Sequence, residues 1–123
     1  QYSLLNRKIE ENGTLAAARE LNVTILAYSP LAQGLLTGKY TPETVRSLQG
    51  ARRIDPRFSP SGLQKISPLI NTLKTIAESH QRTPAQVALR WLIAQGNVVP
   101  IPGAKNATQA QQNAGALGWQ LSP

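Results

Sequence analysis

A short apolar, β-branched run, Val23–Tyr28 (VTILAY), constrains the fold of this chain more than any other stretch. It lacks regular polar alternation, so it reads as a strand buried on both faces, the signature of a parallel sheet. Helical patterns flank it. Upstream, Gly13-Thr14 introduces the Ala-rich Leu15–Leu21, with Thr14 as the expected N-cap. Downstream, Ser29–Ser59 is long, poor in pattern and rich in Gly and Pro, as functional or mobile loops are. Leu63, Ile66, Leu69, Ile70, Leu73, Ile76 and Ala77 then recur at three- and four-residue steps, which predicts an amphipathic helix that Pro68 should kink or divide. Thr83-Pro84-Ala85-Gln86 has the form of a capping box with Pro at the first helical position, and that helix stops at Gly96. Val98, Val99 and Ile101 form another strand, ended by Pro102-Gly103, and Asn106 caps a last helix from Ala107 to about Leu117. With Tyr2–Leu5 as the tail of a first strand, three strands alternate with helices, which predicts a parallel α/β sheet. Its two bare edges point to a larger sheet of which this is a part.

A chain of 123 residues is the size of one ordinary domain. It has no Cys and a single His, which excludes disulfides, thiolate catalysis and Cys- or multi-His metal centres. No metal site is expected. Thirteen Lys and Arg stand against six Asp and Glu, a net charge of +7 that favours an anionic partner. There is no apolar run long enough for a membrane span, so no membrane partner is expected. The chain opens on Gln1 and contains no Met, which we read as a sign that the natural start lies upstream.

Three segments sit where α/β folds place ligands, after the C-terminal ends of strands. In Tyr28-Ser29-Pro30-Leu31-Ala32-Gln33-Gly34, an aromatic ring at a strand end precedes a Gly-containing loop. The ring could stack on a flat ligand and the loop N–H groups could hold phosphate; alternatively Tyr28 packs in the core and Pro30 and Gly34 only shape a turn. Ile101-Pro102-Gly103-Ala104-Lys105-Asn106 joins a strand to a helix N-terminus and brings a lysine, which suits phosphate, or is a plain turn with a solvated Lys105. Gln109, Gln112 and Asn113 share one helix face, whose amides suit a purine edge or merely face water.

Taken in order, Tyr2-Ser3-Leu4-Leu5-Asn6-Arg7, Ala27–Tyr40 (AYSPLAQGLLTGKY), Thr83–Trp91 (TPAQVALRW) and Ile101–Asn106 (IPGAKN) closely resemble the C-terminal half of an aldo-keto reductase. The resemblance covers nearly all of the chain. It implies a (β/α)8 TIM barrel, of which residues 1–123 are one incomplete domain holding about strands six to eight, with residues 29–59 a loop on the cofactor and substrate side. It further implies an oxidoreductase that reduces a small aldehyde or ketone to an alcohol with NADPH. Tyr28 matches the residue that stacks on the nicotinamide. Ser29, Leu31, Gln33 and Gly34 match the pyrophosphate-binding turn. Gly103, Ala104 and Lys105 match the segment at the adenosine 2′-phosphate. Gln109 stands at a position often Arg in the family, Gln112 at a frequent Glu near the adenine, and Asn113 at the adenine-binding Asn. The family's catalytic Asp, Tyr, Lys and His lie on earlier strands, so a missing N-terminal half would supply them and this chain alone is expected to be inactive. Lys39 is not the catalytic Lys, and Tyr2 and Tyr40 have no proton-transfer partner. His80 is expected at the surface.

Two other readings remain at this point. A non-catalytic basic module could bind nucleotides or nucleic acid through Arg46, Arg52, Arg53, Arg57 and Lys105. Only Phe58 supplies an aromatic among those arginines, so nucleic acid is not the expected partner. A half-barrel could also assemble with another chain through its bare edges.

Overall fold

The computed structural model describes residues 1–123. The elements run α1 (Lys8–Glu11), α2 (Thr14–Glu20), β1 (Ile25–Ala27), α3 (Pro42–Val45), α4 (Ala51–Ile54), α5 (Pro60–Ser79), α6 (Pro84–Ile93), β2 (Val98–Pro100) and α7 (Ala107–Ala114), with 3-10 segments at Ala32–Thr37 and Pro56–Phe58. β1 and β2 pair in parallel, Ile25 with Val98, Leu26 with Val99 and Ala27 with Pro100. The α/β class is as expected. The sheet has two strands and not three. Tyr2–Leu5 is a turn closed by a bridge between Ser3 and Asn6, and the Ser3 Oγ accepts from the N–H groups of Leu5 and Asn6. Those side-chain bonds satisfy the backbone locally, so no ladder forms.

Burial corrects the reading of VTILAY as well. Ala27 and Val98 face the helices and are buried, whereas Leu26, Tyr28, Val99 and Ile101 are exposed. Only one face of the sheet is covered by helices of this chain.

Two core clusters lie on the covered side. One joins Tyr2, Leu15, Ala27, Leu92 and Val98. The other joins Leu35, Leu36, Val45 and Phe58 to Ile70, Leu73 and Ala77 of α5 and Val87 and Ala88 of α6. The segment 29–59 is therefore not an unpatterned loop but a string of short helical turns whose apolar residues build the core. Turns of three to six residues are too short to show a period in sequence.

Capping explains the longer helices. Ser59 Oγ accepts from Gly62 N at 3.0 Å and Pro60 opens α5. The Thr83–Gln86 capping box forms in full, with Thr83 N–H donating to Gln86 Oε1 at 2.9 Å and Gln86 N–H to Thr83 Oγ1 at 3.2 Å. Asn106 caps α7 through its Oδ1 and Gln109 N at 2.9 Å, although α7 ends at Ala114 rather than near Leu117. Thr14 is not the cap of α2: Gly13 holds that position at φ 85°, and Asn12 Oδ1 accepts from Thr14 N. Pro68 does not divide α5: it lies on the exposed side of the helix, where the cost is the one N–H it cannot donate toward the Gln64 carbonyl. No helix is long and apolar enough to cross a membrane.

Candidate functional site

The turn after β1 is held in an unusual backbone shape. Ser29, Ala32 and Gln33 all have positive φ (52°, 51° and 58°), beside Gly34 at 97° and Gly38 at 74°. Non-glycine residues in the left-handed region cost free energy and gather at binding sites. Closing bonds run from Ala32 N to Ser29 O and from Gly34 N to Leu31 O, while the N–H groups of Ser29 and Leu31 find no backbone acceptor. Backbone donors left free in such a turn make a concave anion site.

The turn after β2 faces it. Gln109 Oε1 accepts the Lys105 N–H at 2.6 Å and Asn113 Nδ2 donates to Gly103 O at 3.2 Å, so α7 grips the turn by two side chains. Each amide keeps one group free: the Gln109 nitrogen as donor and the Asn113 oxygen as acceptor. Gln86 Nε2 donates to Gln112 O at 2.8 Å and ties α7 to α6.

Between the two turns lies an open cleft of about 790 Å³. Ser29, Leu31, Gln33, Gly34, Gly103, Ala104, Lys105, Gln109, Gln112 and Asn113 all line it. Tyr28 does not; it sits just outside, at the end of β1, with its ring half exposed. Thus three segments distant in sequence come together, with one predicted member at the margin.

Sequence reasoning missed Thr37, Lys39, Tyr40 and Thr83, and it placed Arg52 only in the alternative basic module; all five line the cleft. Lys39 holds its ammonium 5.3 Å from the Tyr40 ring centre, and the Arg52 guanidinium lies 5.9 Å from the Phe58 ring. The Arg52 Nε is buried without a hydrogen-bond partner. Lys39, Arg52 and Lys105 line the same space as each other, and no Asp or Glu does. The absence of any acidic residue between Ser29 and Pro42 was the sequence signal available for this.

The basic cluster of the alternative reading is divided by the structure. Arg57 forms an ion pair with Asp55 at 2.7 Å, which raises the arginine's pKa and holds the Asp55 carboxyl below its ordinary value. Arg46 and Arg53 are exposed, while Arg52 and Lys105 belong to the cleft.

Two residues away from the cleft are also tied into the fold. The buried Tyr2 hydroxyl donates to Glu10 Oε1 at 2.6 Å. Burial first, and then the Glu10 carboxylate, push the phenol above its ordinary pKa, so Tyr2 holds its proton as a structural donor. His80 is not a plain surface residue: its Nδ1 lies 3.0 Å from Ile76 O and its ring 5.2 Å from that of Trp119.

The chain is 44% identical to aldo-keto reductase str7 of Strobilurus tenacellus over 88% of its own length and 32% of that protein's. It is 38% identical to the NADP(+) aldo-keto reductase yakc of Schizosaccharomyces pombe, over 99% of this chain and 37% of that one. The glycerol dehydrogenase of Gluconobacter oxydans superposes on 98% of this chain and 37% of its own, with a TM-score of 0.85 and 30% identity. The chain spans about a third of the length of these relatives. The Aldo/keto reductase profile matches residues 1–123, and the chain belongs to that family.

Proposed function

We propose that residues 1–123 form the cofactor-binding C-terminal part of an NADPH-dependent aldo-keto reductase, an incomplete (β/α)8 barrel, that converts aldehydes or ketones to alcohols in the cytoplasm. The observation that carries this is the cleft: ten of the expected cofactor residues, three cations and no carboxylate line one space after the C-terminal ends of two parallel strands. The residues present fit a dinucleotide with three phosphates. Free N–H groups at Ser29 and Leu31, together with Gln33, Gly34, Lys39 and Arg52, hold the pyrophosphate. Gly103, Ala104, Lys105 and the free amide donor of Gln109 hold the 2′-phosphate at the start of α7, where the helix dipole adds to the attraction. Gln112 and Asn113 meet the adenine. Tyr28, at the margin of the cleft, offers its exposed ring to the nicotinamide. NADPH bound here would supply hydride to the carbonyl substrate. The proton donor belongs to a preceding part of the barrel, so residues 1–123 alone do not turn over substrate.

The exposed sheet face formed by Leu26, Tyr28, Val99 and Ile101 supports the partial-barrel reading, since it is the surface on which further strands and their side chains would close.

The test is cofactor discrimination in the full-length protein. Lys105 contributes a charge-assisted bond of roughly 1.5–3 kcal/mol to the 2′-phosphate. Lys105→Ala therefore weakens NADPH binding by about ten- to a hundredfold and leaves NADH nearly unchanged. Dissociation constants for both cofactors by fluorescence quenching decide it: equal losses, or none, remove Lys105 from the site.

A further inference from the structure

On the far side of the Gly34–Tyr40 segment lies a second cavity, an open groove of about 520 Å³ along α5. Its floor is apolar, made by Leu35, Leu63, Ile66 and Ile70. It follows α5 from Pro60 to Lys74, about 21 Å at 1.5 Å per residue, with Leu63, Ile66 and Ile70 spaced over about 10 Å of that length and Ser61, Gln64, Ser67 and Asn71 beside them. At one end the Lys74 stem lies across Gly38: a Cβ on Gly38 would sit 3.2 Å from Lys74 Cε and 3.3 Å from Ile70 Cγ2. Both Lys74 and Gly38 line the groove. No Asp or Glu lines the groove, and Lys74 takes part in neither ion pair of the chain, although Glu78 is one turn away on the same helix.

We infer that this groove binds a straight-chain monocarboxylate, its alkyl chain on Leu63, Ile66 and Ile70 and its carboxylate at the Lys74 ammonium. A long apolar floor suits an unbranched chain, and one unpaired cation at one end matches one negative charge. The inference is independent of the cofactor reading, because the groove and the cofactor cleft share only Tyr40.

The probe is sodium dodecanoate, titrated calorimetrically below its micelle concentration into the full-length protein. Octanoate, dodecanol and the variants Lys74→Glu and Lys65→Glu complete the experiment. Lys65 is exposed on the same helix but does not line the groove, so it controls for net charge. Dodecanoate is expected to bind one equivalent, and octanoate at least about tenfold more weakly, since each buried CH₂ contributes. An exposed pair is worth little, so Lys74→Glu is expected to weaken dodecanoate by about three- to fivefold, with Lys65→Glu without effect. Dodecanol should bind about as weakly as dodecanoate binds Lys74→Glu. No binding, equal binding of alcohol and acid, or equal losses in the two variants overturns the inference.

Discussion

Gly62 shows how a single position can invert a propensity rule. It lies in the first turn of α5, where replacing Gly by Ala ordinarily gains up to about 1 kcal/mol. Here a Cβ would run into the backbone carbonyl oxygens of Pro56 and Arg57, which cannot swing away as a side-chain tip can. Gly62→Ala is therefore expected to lower stability by about 1–3 kcal/mol, read from the urea midpoint of the full-length protein. A gain would show that the 3-10 turn at Pro56–Phe58 yields. Tyr2 gives a prediction with a definite sign. Its folded-state pKa is raised, so its contribution is complete below the unfolded value near 10 and is lost as pH rises beyond it. Between pH 9 and 11 the wild type should lose stability faster than Tyr2→Phe; parallel curves would show that Tyr2 ionises freely. At this scale the cleft was largely legible in sequence, because short Gly-containing turns after strands are local features. Arg52 was not singled out for it, since four arginines within twelve residues look alike until packing desolvates one of them.

The elements were legible where the signal is local and chemical. The Thr83–Gln86 box and the Asn106 cap are matters of three-residue spacing, and both form. Thr83→Ala should cost about 1 kcal/mol, and because Thr83 also lines the cleft, cofactor affinity should be measured on the same variant. What sequence could not reveal were features decided by surroundings. Asn12 supplies the oxygen expected from Thr14, because Gly13 turns the chain with φ 85° just before the helix. Pro68 was expected to break α5, yet seven apolar residues on the opposite side hold the helix together across it. Pro68 is exposed and its neighbours are helical on both sides. Pro68→Ala would restore an N–H facing the Gln64 carbonyl and should raise stability by up to about 3 kcal/mol, seen as a higher melting temperature. No change would show that the helix has already adjusted around the proline.

At the scale of the whole molecule, surface area makes the argument that the strand count began. A compact monomer of this mass exposes about 6,500 Å². This chain exposes 7789 Å², about 1,300 Å² more, and buries only 20 of its 123 residues. Part of the excess is the open sheet face, where Leu26 and Val99 are a cross-strand pair at 63% and 48% exposure, followed on each strand by Tyr28 and Ile101. Isolated surface hydrophobics are ordinary, but four on one face of a parallel pair with both edges free form a patch that soluble monomers avoid. Helices cover one side of the sheet, and parallel sheets are stable when both are covered. Residues 1–123 expressed alone are therefore expected to self-associate and to bind an apolar dye. The double variant Leu26→Thr, Val99→Thr puts a β-branched strand former at both positions while removing two methyl-rich surfaces. It should shift the sedimentation profile toward monomer and reduce dye binding several-fold, without altering the helical circular dichroism. A well-dispersed wild-type monomer with a sharp melting transition would mean that the two strands and their helices suffice, and that the exposed face is not a place where more of the barrel belongs.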